Sequence, residues 1–279
     1  MKRNWILITT ALGVLAASLA GTGCQKLKAR DQLNKGVQAF RSANYPTAVE
    51  HFKQAVEADP TFHTARLYLA SAYMSQWIPG ADSPENRQMA QGARENFQRV
   101  LDEDPNNTVA LSSLASMSFQ EAGGIQDSDA KMKQFDVAAD WYSRLAKADP
   151  SNKEAWYSLG VIAWSKWYPA IGKARADLQM KPEDPGPLKD KKVREQLRQQ
   201  WGETIQTGIE HLEKSLSIDP QYDDAMVYLN LLNRERADLA ETAEEYRRDI
   251  EAADTWLQKA LDTRKAKAEG TGPLGGAAH

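Results

Sequence analysis

Apolar side chains recur along this chain every three or four residues, the spacing that lines up one face of a helix. Tyr45, Ala48, Phe52 and Ala55 lead to Pro60. Ala90, Ala93, Phe97 and Val100 lead to Pro105, and Phe135, Ala138, Tyr142 and Leu145 lead to Pro150. A second helical pattern opens after each proline: Leu69-Ala70-x-x-Tyr73, then Leu114-Ala115, then Trp156-x-x-Leu159-Gly160-x-x-Ala163. The pattern predicts an all-α chain built of helix pairs.

Four Asp-Pro dipeptides punctuate the pairs: Asp59-Pro60, Asp104-Pro105, Asp149-Pro150 and Asp219-Pro220, with prolines 45, 45 and 70 residues apart. Proline cannot continue a helix, and it biases the residue before it away from helical geometry. Small residues fall at matching places in the paired helices. Gly36, Ala70, Ala115 and Gly160 supply one side, and Ala48, Ala93, Ala138 and Gly208 the other. Two antiparallel helices approach closely only where both are small, and their large residues are then left to pack against the next pair.

These residues resemble the tetratricopeptide repeat (TPR), whose consensus places Trp-x2-Leu-Gly-x2-Tyr, Ala-x3-Phe and a closing Pro in about 34 residues. The resemblance covers most of residues 29–265 and implies an α-α superhelix, a TPR solenoid of about five helical hairpins. Lys35 and Ala39 depart from the first unit's expected leucine and aromatic. The fifth unit starts at Tyr222, has Asn230 at the small position, and lacks a closing proline. Its second helix is signalled by Thr242-x-x-Glu245, a capping-box pattern, followed by Ala253, Leu257 and Ala260. In the family, first-helix side chains line a concave groove that binds other proteins. Carried across, the groove residues are Leu67, Met74, Phe119, Tyr157, Val161 and Trp164. Aromatic anchors of this kind suit recognition of a peptide or helix. In a tight superhelix the same rings would simply fill space.

The repeat spacings exceed the consensus by about 11, 11 and 36 residues, and each excess falls between the two helices of a unit. Two insertions share a signature, Trp77-Ile78-Pro79 and Trp167-Tyr168-Pro169, while the third is Ala122-Gly123-Gly124. Trp77, Trp167 and Tyr168 therefore form a candidate binding edge. Alternatively, each Trp plugs the end of its helix and the proline stops it. The longest insertion runs from Pro169 to about Leu188 and leads into a basic stretch with Lys191, Lys192, Arg194 and Arg198.

The N-terminus reads separately. Met1-Lys2-Arg3-Asn4 precedes an apolar run, Trp5 to Ala20, of about 16 residues, which is short for a bilayer span and typical of an export signal. The single cysteine, Cys24, follows Gly23 and resembles the lipidated first residue of a bacterial lipoprotein; Gly21 stands where that family has an aliphatic residue. Cleavage after Ala20 is the alternative. The expected organisation is a signal peptide over 1–23, a lipidated linker over 24–28, the TPR superhelix over 29–265 and a disordered tail over 266–279. The lipoprotein resemblance implies a membrane anchor and the periplasmic face of the cell envelope. Gln25 after the cysteine implies the outer membrane.

Composition narrows the function. The formal net charge is -3, which argues against a nucleic-acid binder that needs a basic face. His51, His63, His211 and His279 lie far apart, so no metal or other cofactor is expected. No catalytic motif stands out, and His51 and His211, beside Glu50 and Glu210, read as solvated helix surface. The reading is a non-enzymatic scaffold that binds other proteins, with a small-ligand or glycan binder as the alternative.

Overall fold

The computed structural model describes residues 23–181 and 183–270. The apolar leader and the last nine residues lie outside them, and so do residues 1–22 of the signal peptide expected over 1–23 and most of the expected tail. Ten helices and no strand occur among the described residues. They are α1 (23–41), α2 (Tyr45–Ala58), α3 (His63–Met74), α4 (Pro84–Glu103), α5 (Thr108–Gly124), α6 (Ser128–Ala148), α7 (Lys153–Asp177), α8 (Lys191–Ile218), α9 (Asp223–Ala237) and α10 (Ala243–Ala268). Consecutive helices make five pairs. Contacts divide the chain into two compact units after Leu114, within α5.

The four Asp-Pro turns share one chemistry. Each aspartate leaves helical geometry at the end of α2, α4, α6 or α8, and its backbone N–H still reaches the carbonyl four residues back. Its side chain then accepts from the backbone N–H two residues on, across the proline. The distances are 3.1 Å at Thr61, 3.3 Å at Asn106, 3.1 Å at Ser151 and 3.0 Å at Gln221. Proline forbids another helical turn, and aspartate supplies the Asx-turn that redirects the chain. Two of the following helices are then capped by asparagine. Asn107 accepts from Ala110 N at 3.1 Å, and Asn152 from Ala155 N at 3.0 Å.

In the first unit α2 packs on α3 and α3 on α4. The predicted small-on-small contact takes a different form at Gly36, where the Phe52 ring from α2 lies over the glycine. A Cβ there would meet Phe52 Cε1 at 2.4 Å. Tyr68 of α3 stacks on Phe52 with centroids 5.4 Å apart, and Phe40 joins Tyr68 at 6.3 Å and Tyr45 at 5.3 Å. Lys35 explains itself: it is exposed and pairs with Asp31 at 2.7 Å. The first insertion is held by Asn86, which accepts from Ile78 N and donates to the carbonyls of Ile78 and Ala81.

In the second unit the principal pairs are α7 with α8 and α9 with α10, bridged by α8 against α9. Gly160 and Gly208 bring α7 and α8 together: a Cβ on Gly160 would meet Leu212 Cγ at 2.4 Å and Gly208 O at 3.1 Å. Leu212 stands four residues beyond Gly208 as Phe52 does beyond Ala48, so the same large residue caps the same small one in both units. Asn230, at the small position of the last pair, is buried and donates to Ala253 O of α10 at 2.8 Å. A polar link replaces the bare contact. The expected capping box forms with a shifted register: Thr242 accepts from Glu245 N, while the Glu245 carboxylate accepts from Glu241 N rather than Thr242 N.

Three expectations need correction. Pro169 does not stop its helix, for α7 runs through it to Asp177. The lost hydrogen bond is offset by burial beyond the proline, where Ile171 and Ala174 join the core around Trp167 and Ile205. Ala122-Gly123-Gly124 is not a loop but the last turn of α5, with Ala122 fully buried. Residues 266–268, placed in the expected disordered tail, are instead the last residues of α10. Beyond α7, the remainder of the longest insertion is strapped down at Lys181, Asp184 and Leu188. Arg175 pairs with Asp238 at 2.6 Å and donates to the carbonyls of Lys181 and Asp184, and Leu188 N donates to Asp238 O.

Candidate partner-binding site

The second unit carries a run of aromatic rings on α7 and α9. Residues 157, 161, 164 and 168 follow the helical period, so α7 presents Tyr157, Val161, Trp164 and Tyr168 along one side. From α9 comes Tyr228, and from the turn before it Tyr222. Their centroids follow one another closely: Tyr222 to Tyr157 at 4.9 Å, Tyr157 to Tyr228 at 5.7 Å, Tyr228 to Trp164 at 5.4 Å, and Trp164 to Tyr168 at 4.7 Å, the last pair stacked. Tyr168 is 52% exposed, the other four rings are half-buried, and Val161 is buried beneath them.

Two carboxylates and a third, deeper one border this run. Glu154 accepts the Tyr222 hydroxyl at 2.6 Å, and Asp224 lies one turn before Tyr228. Burial pushes the Tyr157 and Tyr222 phenols well above their usual range, and the Glu154 and Asp224 charges push them further. Glu235 of α9 reaches between two indoles of α7. Its Oε1 accepts from Trp164 Nε1 at 3.0 Å, while Trp167 Nε1 faces the same carboxylate without reaching hydrogen-bond geometry. Burial pushes the Glu235 carboxyl up to about 7, a rise restrained by the indoles and reinforced by Asp238.

The sequence-derived candidates fare unequally. Tyr157, Val161 and Trp164 are brought together as one face. Phe119 packs elsewhere in the second unit, half-buried against Phe135 at 5.8 Å beside Ala138 and Ile162. Leu67 and Met74 are half-buried on α3 of the first unit. The insertion edge is corrected for both tryptophans: Trp77 is 9% exposed and Trp167 fully buried, so neither indole is offered to a ligand. The α7 helix rotates Trp167 inward against Trp201 and leaves its neighbour Tyr168 outside, next to Trp164. Three of the four basic residues after the insertion are engaged too, Arg198 with Glu241 and Glu245, Arg194 with Leu188 O, and Lys191 with Glu195. His211 is not solvated surface: it lies half-buried under Trp156 with centroids 5.6 Å apart, and burial lowers its pKa.

Sequence reasoning missed Glu154, Tyr222, Asp224, Tyr228 and Glu235. A signal for three of them existed. Glu154 and Asp224 each stand four residues after a turn proline, and Glu235 fifteen after. Cys24 is exposed in the first turn of α1. No helix among the described residues is long and apolar enough to cross a membrane, and no group of three or more His, Cys, Asp or Glu there could hold a metal ion.

Comparisons with known proteins bear on the repeats. Residues 127–180 match the family model of the tetratricopeptide repeat, and residues 43–122 match that of the plant-specific mitochondrial import receptor subunit TOM20. No curated protein sequence matches the chain. Among solved structures, a MamA crystal structure superposes with a TM-score of 0.55 at 17% identity, covering 87% of this chain and 94% of MamA. A second MamA structure gives 0.54 at 18%, covering 84% and 96%, and MamA from Desulfovibrio magneticus RS-1 gives 0.51 at 17%, covering 86% and 96%. The expected placement at the periplasmic face of a bacterial envelope is contradicted by the match of residues 43–122 to a model described as a plant-specific mitochondrial import receptor subunit. Helix pairs, Asp-Pro turns and the tetratricopeptide-repeat match over residues 127–180 agree on an all-α fold of the tetratricopeptide-repeat superhelix class.

Proposed function

We propose that the chain is a protein–protein interaction scaffold, and that it binds a segment of its partner across the α7/α9 aromatic face. The observation that carries this reading is the continuous run of five rings from Tyr222 to Tyr168, partly open to solvent on helices that are otherwise packed. Half-buried Trp and Tyr held rigidly by neighbours lose little entropy on binding and supply much of the contact area in recognition surfaces. The repeat match supports the same reading, as does the absence of any catalytic motif in the sequence.

A small-ligand or glycan site on the insertion edge has less support, because Trp77 and Trp167 are buried. Attachment to a membrane through Cys24 is carried by the sequence around that residue alone; acyl labelling lost in Cys24→Ala is its test.

Crosslinking in cells followed by mass spectrometry tests the scaffold reading. A reproducible protein partner should be lost in both Trp164→Ala and Tyr168→Ala. Because Tyr168 is exposed, its variant keeps the fold. A partner retained by both variants would remove this face from the function.

A further inference from the structure

Charge is unevenly shared among equivalent positions of the repeats. Four residues after the turn proline stand Thr64, Val109, Glu154 and Asp224; fifteen residues after it stand Ser75, Gln120, Ser165 and Glu235. Carboxylates therefore occupy these places only in the last two repeats, where the aromatic run lies. Glu154 and Asp224 stand at its Tyr157/Tyr222 end and Glu235 at its Trp164 end.

The basic groups nearby only partly neutralise them. Arg264 of α10 touches Asp224 at 3.0 Å, but it also holds Asp223 at 2.6 Å, and Lys267 binds Asp223 as well. Arg234, on α9 beside Glu235, is turned to Asp254 at 2.5 Å. Lys153 binds Asp219 at 2.6 Å. Glu154 is exposed and accepts from the neutral Tyr222 hydroxyl, and its charge is also felt by Lys153. The Asp224 side chain is 56% exposed.

The rings themselves favour a cation. An aromatic face carries negative quadrupole potential, and an ammonium or guanidinium within about 6 Å of its centroid is attracted. One such contact already exists in the molecule: Lys153 Nζ lies 4.7 Å from the Tyr222 ring centroid. Burial is the main reason the Tyr157, Tyr222 and Tyr228 phenols resist ionisation, and the smaller contribution, from Asp224 at all three and Glu154 at the first two, is the part that favours positive charge beside them.

We infer that the α7/α9 face is selective for a partner segment that carries lysine or arginine among apolar residues. The basic side chain sits at the Tyr157/Tyr222 end between Glu154 and Asp224, and the apolar residues lie on Trp164 and Tyr168. This rests on the partner-binding reading above. From Glu154 to Tyr168 the helix rises about 21 Å, the length of a short helix or about six extended residues. An acidic segment would meet Glu154 and Asp224 with like charge and is excluded by the same geometry.

The test is selection of a random peptide library displayed on phage against the full chain, Glu154→Gln/Asp224→Asn, and Trp164→Ala, with helicity checked by circular dichroism. These carboxylate replacements keep the side-chain shape and one acceptor oxygen, exchange the other oxygen for an amide donor, and remove the charge. Against the unaltered chain, Lys and Arg should be enriched over Asp and Glu. The selected peptides should bind the doubly neutralised variant about three- to tenfold more weakly, with the difference shrinking at high salt. Peptides enriched in aromatic or aliphatic residues with no charge preference, lost on Trp164→Ala but bound equally by the neutralised variant, would overturn this inference and leave the partner-binding face standing. No enrichment over Trp164→Ala would overturn both.

Discussion

Glu235 of α9 and Trp164 of α7 are joined by a 3.0 Å hydrogen bond from the indole Nε1 to the carboxylate Oε1. The bond ties the first helices of the last two repeats together at the edge of the aromatic face. It also places an ionisable group where burial holds its carboxyl up to about 7.

That position makes stability depend on pH in a defined direction. The folded chain holds the Glu235 proton more tightly than the unfolded chain, whose carboxyl titrates near 4.5. Stability from this group is complete below about 4.5, drains away as pH rises to about 7, and then levels off, for a total of at most about 3 kcal/mol. Thermal melts should therefore show Glu235→Gln raising the melting temperature at about pH 8 and changing it little at about pH 4.5. Equal shifts at both pH values would show that Glu235 is not held protonated.

Two tryptophans of α7 should differ sharply. Trp167→Ala removes a fully buried side chain from the core of the second unit and should cost about 3–5 kcal/mol. Trp156, half-exposed with its Nε1 on Pro150 O at 3.1 Å, should cost well under half of that on truncation. Denaturant unfolding of the two variants measures the difference, and an equal loss would contradict the placement of Trp167.

The contrast between those two residues marks where the sequence is legible. The Asp-Pro turns can be read because their chemistry is local: proline and aspartate act within four residues. The Trp-Pro signature misleads because its outcome is set at long range. Ile171 and Ala174 find buried neighbours beyond Pro169, so the helix continues and carries Trp167 inward. Glu235 is hidden for a similar reason. In Asn233-Arg234-Glu235-Arg236 it reads as one more charge on a solvated face, and only the position of α7 turns it into a half-buried acid held by an indole.

Glycine substitutions on α7 should move stability in opposite directions. At Gly160 an added methyl meets Leu212 and the Gly208 carbonyl, so Gly160→Ala should destabilise by about 1–3 kcal/mol. At Gly172 nothing lies within 4 Å, and Gly172→Ala should stabilise by up to about 1 kcal/mol through helix propensity. Paired melting curves report both signs.

The strap over the end of α7 depends on one guanidinium. Arg175→Met leaves Asp238 buried without its cation and frees the carbonyls of Lys181 and Asp184, at a cost of about 3–5 kcal/mol. Limited proteolysis should then cut within 178–190 faster than in the unaltered chain. Adding Asp238→Asn to Arg175→Met should recover part of the stability, because the isolated charge is gone.

Gly208 meets two hairpins at once. An added Cβ would stand 2.7 Å from Ala163 Cβ of α7 and 3.0 Å from Leu232 Cδ1 of α9. The separation of the fourth and fifth helix pairs, and with it the alignment of the aromatic rings that straddle α7 and α9, is therefore governed by a methyl group that is not there. A single added carbon on α8, a helix that contributes no ring to the face, would change the surface a partner meets.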